Sequence, residues 1–357
     1  MNVSSGIKGR GAAENPRNRF EPLTVVPDPG ARDPDDPGPA TVFLRDATRT
    51  IIARNDSPDI GFDASINPYR GCEHGCIYCY ARPTHEYLGF SAGLDFETRI
   101  LVKADAPTLL RRELSSPRWK PRILAMSGVT DPYQPAERRL RLTRACLEVL
   151  AEFRNPVGIV TKNHRVTRDI DVLTELARHD CVHVNLSVTS LRPALQRVME
   201  PRTSIPARRL AAIHALSGAG IPVRVLVAPI IPGLTDHEMP AILEAAAKAG
   251  AKSAGYTMLR LPHGVKDLFV AWLERHFPER KNKVLSRIRD IRGGRLNDPA
   301  FGTRMHGNGE IADQIGALFD AACRKAGLRR AMPALSTRAF RPAPHGPQLG
   351  FFDGLSA

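Results

Sequence analysis

Short apolar and β-branched segments alternate along the middle of the chain with longer segments of helical periodicity. Their spacing of about 30 residues is what parallel strands joined by crossover helices require. The pattern therefore predicts an α/β fold of about six strand–helix units, as in a partial (β/α) barrel with its active site at the carboxyl ends of the strands. The predicted strands are Phe62–Ile66, Ile123–Met126, Val157–Thr161, Val182–Val188, Val223–Ala228 and Ala254–Met258.

The segments between these strands carry apolar residues at helical intervals. In the first, Leu140, Leu147 and Leu150 fall on one face, and arginines fall on the other. Glycine ends the last two segments, at Gly220 and Gly250, as is common after a helix. The predicted helices are Ala136–Phe153, Val166–Arg178, Pro206–Ala219 and His237–Ala249.

Both ends of the chain depart from this alternation. Residues 1–60 are predicted to form a proline-rich, partly disordered arm, because the five prolines of Val26–Ala40 exclude a helix there. Residues 61–262 then form the core, and residues 263–357 a basic helical extension. Within the extension, 279–304 carries eight Lys or Arg and three acidic residues.

Two interpretations of that basic segment stay open. Its cations could lie beside the active-site mouth and guide a phosphate backbone toward it. Alternatively, the segment is an ordinary amphipathic helix whose arginines face water. In that second interpretation, four apolar residues pack down: Val284, Leu285, Ile288 and Ile291.

Composition and charge limit the function classes. With 42% hydrophobic and 25% charged residues, the chain is neither wholly disordered, collagenous nor membrane-embedded. Its longest apolar stretch, 223–231, is broken by Arg224 and Pro229 and is far shorter than the ~18 residues of a membrane span. Met1–Arg19 lacks the apolar centre of a signal peptide, so we expect a cytoplasmic protein with no membrane partner. A net charge of +14 is compatible with a nucleic-acid partner.

The most informative feature is a group of three cysteines, Cys72, Cys76 and Cys79, in the spacing CxxxCxxC. Three thiolates can bind three irons of a [4Fe–4S] cube and leave the fourth iron without a protein ligand. The alternative is a structural zinc site, for which His74 or His85 would supply the fourth ligand. The chain contains no second CxxC, which zinc sites usually have. The other three cysteines, which are scattered, are expected to be ordinary buried residues: Cys146, Cys181 and Cys323.

This cysteine loop, with Tyr78 directly before its last cysteine, resembles that of the radical S-adenosylmethionine (SAM) superfamily. The resemblance extends from about Phe62 to Met258 and is strongest to the spore photoproduct lyase-like branch. The arm is similar to that of a bacterial subfamily within this branch. The motifs that carry it are Gly9–Ala12, Asn18–Phe20, Thr130-Asp131-Pro132, Val160-Thr161-Lys162, Ser187, Glu200-Pro201 and Val227–Ile230.

The resemblance implies a (β/α)6 partial TIM-like barrel of the radical SAM type, holding a [4Fe–4S] cluster and SAM. The reduced cluster would cleave SAM to a 5′-deoxyadenosyl radical that abstracts a hydrogen atom from the substrate, with a reductant such as flavodoxin or ferredoxin as partner. Cys72, Cys76 and Cys79 would be the iron ligands. The residues implied to bind SAM are Tyr78, Thr130, Asp131, Lys162, Ser187 and Ala228.

These SAM-binding residues have distinct implied roles. Lys162 would face the SAM carboxylate, whereas Thr130 and Ser187 would offer hydroxyls to the amino and carboxylate groups. Asp131 would accept hydrogen bonds from the ribose, and the Ala228 backbone would lie against the adenine.

One departure from the branch bears on the reaction. Spore photoproduct lyase has a cysteine shortly before its Thr-Asp pair, where Gly128 stands in this sequence. Tyr80 is the counterpart of its radical-relaying tyrosine and is the candidate catalytic residue. We therefore do not expect spore photoproduct repair itself. We expect a related lyase-like reaction on a nucleic acid. The alternatives are a radical SAM enzyme that modifies a protein or small molecule, and a basic nucleic-acid-binding protein with a structural metal site.

Overall fold

A computed structural model of the chain describes residues 6–21 and 39–342. Most of the segment predicted to be disordered, 26–40, therefore lies outside the described residues. The strands are β1 Val42–Arg45, β2 Ile52–Arg54, β3 Ala64–Ile66, β4 Tyr69–Arg70, β5 Arg99–Val102, β6 Leu124–Met126, β7 Val157–Thr161, β8 Val182–Ser187, β9 Val223–Ile230 and β10 Ser253–Met258. The helices are α1 Leu94–Thr98, α2 Ala106–Leu114, α3 Glu137–Leu140, α4 Leu142–Phe153, α5 Ile170–Ala177, α6 Pro193–Met199, α7 Pro206–Gly218, α8 Met239–Lys248, α9 Val265–His276, α10 Pro278–Asp290 and α11 Glu310–Ala326.

Seven strands form the main sheet, in the order β10-β9-β8-β7-β6-β3-β2. Six of them, β3 and β6 to β10, run parallel, and their order in the sheet follows their order in the chain. These six are the strands that the hydrophobic pattern predicts. Because β10 and β2 do not pair, the sheet stays open. The predicted partial (β/α)6 barrel is confirmed.

The predicted helix Ala136–Phe153 is wrong in one respect, since it is two helices. Arg141 adopts a left-handed backbone, with φ of 51°, and separates α3 from α4. The buried Glu137 carboxylate accepts the N–H groups of Thr143 and Arg144 at 3.1 and 3.4 Å, so it satisfies amide donors in the first turn of α4. The capping residue, Glu137, lies within the predicted helix itself, and the spacing of apolar residues does not reveal a cap there. Similarly, the predicted helix Val166–Arg178 begins as a 3-10 turn at His164–Asp169.

Described residues on either side of the predicted core add further elements to the fold. Residues before 61 contribute β2, which pairs antiparallel with β3, and β1, which forms a small sheet with β5 and β4. In the C-terminal part, α9 and α10 close a second apolar core around Trp272, and α11 packs against α8. The predicted domain limits at 60 and 262 stay predictions. No helix in the described ranges has the length and apolar character that crossing a membrane demands.

Candidate active site

The three cysteines lie on one loop, residues 72–79, which we call the cysteine loop. Other parts of the chain hold its backbone: Cys72 N–H donates to Phe96 O at 2.9 Å, and Ile77 N–H donates to Met199 O at 3.1 Å. Gly75 within the loop has φ of 65°, a conformation that favours glycine. These backbone hydrogen bonds fix the loop at Cys72 and at Ile77.

The N-terminal arm is bound to this loop by a buried carboxylate. Glu97 accepts the backbone N–H groups of Gly11 and Ala12 at 3.0 and 2.8 Å, and it pairs with Arg82 at 2.5 Å. Both charged side chains are fully buried. A β-carbon on Gly11 would lie 1.8 Å from the backbone oxygen of Gly75. The backbone of the arm is therefore in direct contact with the backbone of the cysteine loop. Residues 9–12, which the sequence marks only by resemblance, form this contact.

A cavity of about 590 Å³ opens between the cysteine loop and the carboxyl ends of β6, β7 and β8. The three cysteines form one wall, and predicted SAM-binding residues from the strand ends form the other. The structure thus brings together residues from four segments, as the barrel topology predicts. The predicted site residues that line the cavity are Cys72, Cys76, Cys79, Tyr80, Thr130, Asp131, Lys162 and Ser187.

The three thiols suit a polynuclear iron–sulfur cluster. Burial raises the pKa of Cys72, Cys76 and Cys79, and Lys162 partly offsets this at the last two. Within the described part of the chain, no three His, Cys, Asp or Glu side chains converge on a position for one metal ion. A cluster needs no such convergence, because each thiolate binds a different iron, and thiolates are the usual ligands of iron–sulfur clusters. The donor set therefore fits a [4Fe–4S] cluster.

Of the two histidines proposed as a fourth zinc ligand, only His74 has both ring nitrogens engaged. His74 Nδ1 lies 3.3 Å from Asp131, and its Nε2 lies 3.1 Å from the Asn163 amide nitrogen. The Asn163 oxygen accepts the N–H of Arg165, which fixes the amide orientation and makes His74 Nε2 an acceptor. His85 Nε2 lies 2.8 Å from the carbonyl oxygen of Arg99, and its buried Nδ1 has no hydrogen-bond partner among the described residues. His85 does not, however, line the cavity with the three cysteines. The arrangement does not favour the zinc alternative.

Asp131 lines the cavity, but its oxygens are engaged within the protein. One oxygen accepts Tyr133 N–H at 2.8 Å and the Thr161 hydroxyl at 2.7 Å, and the other accepts Lys162 N–H at 2.8 Å. Burial would raise the pKa of Asp131, but His74 and these donors lower it below the ordinary value. With His74 as a fourth partner, the carboxylate has no acceptor position left for the ribose. Asp131 is therefore a positioning residue that joins the ends of β6 and β7 to the cysteine loop.

Lys162 is available to an anionic ligand. Its ammonium nitrogen lies 5.9 Å from the centre of the Tyr78 ring, and among the described residues it makes no ion pair. Thr130, Ser187 and Lys162 all line the cavity opposite the cysteines. A carboxylate bound there would gain a charge-assisted contact from this ammonium.

Tyr78 and Ala228 lie outside the cavity lining. The Tyr78 hydroxyl donates to the buried Glu200 carboxylate, which also pairs with Arg209. The carbonyl oxygen of Ala228 accepts the Thr189 hydroxyl at 3.1 Å. Although burial raises the pKa of Glu200, Arg209 and Lys162 lower it below its ordinary value. Sequence reasoning placed Glu200 only within a motif, and it gave no sign of this buried ion pair.

Tyr80 stands at the solvent side of the cavity, with 49% of its surface exposed. Its hydroxyl donates to the carbonyl oxygen of Gly128 at 2.7 Å. The guanidinium of Arg260 lies 5.1 Å from the centre of its ring, and Arg304 is near both. Asp59 pairs with Arg304, whereas Arg260 makes no ion pair with any residue that the structure describes. The mouth of the cavity therefore carries an uncompensated positive charge that the sequence analysis missed.

One part of the basic segment 279–304 agrees with the amphipathic-helix interpretation, and another part lies near the cavity mouth. Val284, Leu285, Ile288 and Ile291 are buried, as the amphipathic-helix interpretation predicts. Arg287 on α10 pairs with Asp236 at 3.6 Å. At the end of the segment, Arg304 lies near Tyr80 and Arg260 at the cavity mouth. The three scattered cysteines are buried, as expected: Cys146, Cys181 and Cys323.

Comparisons with known proteins agree with this geometry. An uncharacterized protein of Mycobacterium tuberculosis is 39% identical over 243 residues, which cover 67% of this chain and 70% of that protein. One from Methanocaldococcus jannaschii is 31% identical over 173 residues, covering 48% and 62%. Among solved structures, spore photoproduct lyase complexed with dinucleoside spore photoproduct matches with a TM-score of 0.57, 17% identity and 81% of each chain covered. A mutant of that lyase with bound AdoMet and dinucleoside spore photoproduct matches with a TM-score of 0.55 and 18% identity, again over 81% of each chain.

The family comparison covers the barrel itself. The model of the radical SAM superfamily matches residues 66–246, from β3 through most of α8, and this range includes the cysteine loop and the strand ends around the cavity. Membership implies a [4Fe–4S] cluster and SAM as cofactors. The chain belongs to the radical SAM superfamily, and it is a radical SAM enzyme.

Proposed function

We propose that this enzyme holds its cluster with Cys72, Cys76 and Cys79, binds SAM in the cavity, and abstracts a hydrogen atom from an anionic substrate, with a nucleic acid as the leading class. When bound, the two cofactors together supply the 5′-deoxyadenosyl radical for that abstraction. The observation that carries the proposal is the cavity wall of three thiols facing Thr130, Lys162 and Ser187.

The protein's own residues divide the remaining work. We assign the Lys162 ammonium to the carboxylate of SAM, and the hydroxyls of Thr130 and Ser187, which line the same cavity, to further contacts. Asp131 keeps the loop and the strand ends together. Tyr80 borders the side where substrate enters, and its hydroxyl is the candidate for relaying a hydrogen atom.

The substrate class rests on charge at the mouth. Arg260 lies over Tyr80 and makes no ion pair among the described residues, so an incoming phosphate would find an unneutralised guanidinium beside the catalytic side chain. The net charge of +14 favours the same class. A protein or small molecule with an anionic group is the alternative substrate.

Anaerobic reconstitution with iron and sulfide tests the cofactor part. The parent protein should gain a cluster whose EPR signal changes when SAM is added, and dithionite should then release 5′-deoxyadenosine. Cys76→Ala should lose both, whereas Cys146→Ala, which removes a buried thiol on α4 outside the cysteine loop, should keep both. A full cluster in Cys76→Ala would refute the ligand assignment.

Deuterium transfer tests the substrate part. The reconstituted enzyme is incubated with SAM, dithionite and deuterated DNA or RNA, and 5′-deoxyadenosine is analysed by mass spectrometry. Deuterium in the product, reduced in an Arg260→Ser variant, would support a nucleic-acid substrate. SAM cleavage without deuterium transfer from either polymer would shift the proposal to a protein or small molecule.

A further inference from the structure

A second concave surface lies on the outer side of the cysteine loop. Cys72 and His74 line the cavity, whereas Glu73 between them lines a groove of about 1390 Å³. The groove is therefore separated from the cluster-binding wall by the thickness of one loop. Its other walls are the arm at 8–10, residues 39–43, the start of α3, and Arg202.

The charged residues of this groove are almost all cationic. Among the residues that the structure describes, they are Lys8, Arg10, Arg138, Arg139 and Arg202, together with one carboxylate, Glu73. That carboxylate is buried and already neutralised, since it pairs with Arg202 at 3.0 Å and accepts the Thr41 hydroxyl at 2.8 Å. The solvent-facing charges that the described residues contribute to the groove are therefore positive.

Apart from Arg202, the groove cations make no ion pair with any residue that the structure describes. Arg10 donates to the backbone oxygens of Glu97 and Pro39 at 3.0 and 2.7 Å rather than to a carboxylate. Burial and the nearby charge of Arg202 lower the pKa of Arg10, and the carboxylates of Glu97 and Glu73 offset this only in part. Lys8 and Arg138 are exposed at opposite walls of the groove. Crowded positive charges of this kind create a potential that draws an acidic partner and orients it.

Position decides between the two acidic partners that such a surface could bind. A nucleic acid in the groove would lie behind the cysteine loop, and the loop would separate it from Tyr80 and the cavity mouth. An electron carrier needs only to come close to the cluster. A carrier bound in the groove would be separated from the cluster by the cysteine loop alone, and it would leave the substrate entrance at Tyr80 free. The groove thus suits a reductant better than a substrate.

We propose that this groove is the docking surface for an acidic one-electron carrier protein of the flavodoxin or ferredoxin class. The proposal rests on the proposed function, because it needs a cluster on Cys72, Cys76 and Cys79. In the step, the redox centre of the carrier loses one electron, the cluster is reduced by that electron, and no bond forms or breaks.

Charge reversal tests the surface without touching the cavity. Lys8→Glu with Arg138→Glu changes two exposed side chains on opposite walls of the groove. The control is Arg324→Glu with Lys325→Glu, which makes the same charge change on the exposed face of α11. Binding of a purified acidic flavodoxin to the reconstituted protein is measured over a range of salt concentrations. The groove variant should bind about ten- to a hundredfold more weakly, with a flatter salt dependence, whereas the control should bind like the parent.

A kinetic measurement separates this proposal from the function it rests on. Cluster content and reduction of the cluster by dithionite, followed by EPR, should be the same in all three proteins, whereas reduction by pre-reduced flavodoxin should slow only in the groove variant. A parent protein that gains no cluster would instead refute the proposed function. Unchanged flavodoxin binding in the groove variant, an equal loss in the control, or a selective loss of binding to a DNA duplex would overturn the docking proposal.

Discussion

Replacing Glu97 by Gln should release the N-terminal arm and loosen the cysteine loop. The carboxylate is the only acid that contacts Arg82 in the described structure, and both groups are fully buried. Gln has the same shape but carries no charge, so the Arg82 guanidinium would stay buried without a counter-ion. Its amide also has one oxygen where the carboxylate has two, so one of the N–H groups of Gly11 and Ala12 would lose its acceptor.

The magnitude follows from these contacts. Breaking a buried ion pair by neutralising one partner typically costs 3–5 kcal/mol, and a lost hydrogen bond to a charged group costs about 1.5–3 kcal/mol. Because Gln keeps part of the hydrogen bonding, we expect a loss of about 4 kcal/mol in the free energy of unfolding. That is a large fraction of the roughly 5–15 kcal/mol by which a folded domain is stable.

Two measurements check this prediction. Urea unfolding followed by circular dichroism gives the change in stability, and hydrogen exchange of the peptide 6–21 reports whether the arm has detached. Glu113→Gln is the matched control, because Glu113 also accepts two backbone N–H groups, from Ile51 and Ile52, but is only partly buried. A loss below about 1 kcal/mol for Glu97→Gln, or the same loss in both variants, would refute the reasoning.

Three further predictions use other contacts of the same region. Gly11→Ala should weaken binding of the arm and speed hydrogen exchange of residues 6–21, because the new β-carbon would lie 1.8 Å from a backbone oxygen. The control Gly61→Ala should leave this exchange unchanged, because a β-carbon at Gly61 has no neighbour within 4 Å. Lys162→Met should leave the iron content unchanged but weaken SAM binding by about ten- to a hundredfold, the equivalent of 1.5–3 kcal/mol, measured by calorimetry on the reconstituted protein; an unchanged affinity would remove Lys162 from the SAM site. Burial lowers the pKa of His85 from 6.5 to about 4. Between these pH values the folded state therefore binds fewer protons than the unfolded state. The free energy of unfolding should fall by about 3 kcal/mol as the pH falls from 6.5 to 4. A His85→Phe variant should lose this part of the pH slope in urea unfolding, and a slope identical to that of the parent would contradict the assignment.

The barrel could be predicted because its signals are local. Each parallel strand is a short apolar segment bounded by polar or turn residues, and chain order alone fixed the order of the six strands in the sheet. The cysteine loop carries its ligands within eight residues, so their proximity needs no tertiary information. The strand ends at Thr130, Lys162 and Ser187 then converge on the loop as a consequence of the topology.

The supporting contacts could not be predicted, because they join residues that are distant in the sequence. Gly11 and Glu97 are 86 positions apart, and neither lies in a periodic pattern that would mark it as buried. Asp131 was correctly placed at the cavity, but only the structure shows that four donors already occupy its oxygens. The sequence identifies which groups are near the chemistry. It does not show which of them still have free hydrogen-bonding capacity.

The backbone at Gly128 explains why a thiol does not stand at this position. Its φ is 116°, a conformation that residues with a side chain rarely adopt, although a β-carbon there would have room, with its nearest neighbour, Asn67 Nδ2, 3.9 Å away. Backbone strain, not lack of space, therefore disfavours cysteine. The same residue accepts the Tyr80 hydroxyl through its carbonyl oxygen at 2.7 Å. If the proposed reaction returns a hydrogen atom to its substrate, that atom has to come from a group other than a thiol at residue 128. The Tyr80 hydroxyl, the candidate relay, donates its hydrogen bond to the backbone at this point of the cavity wall.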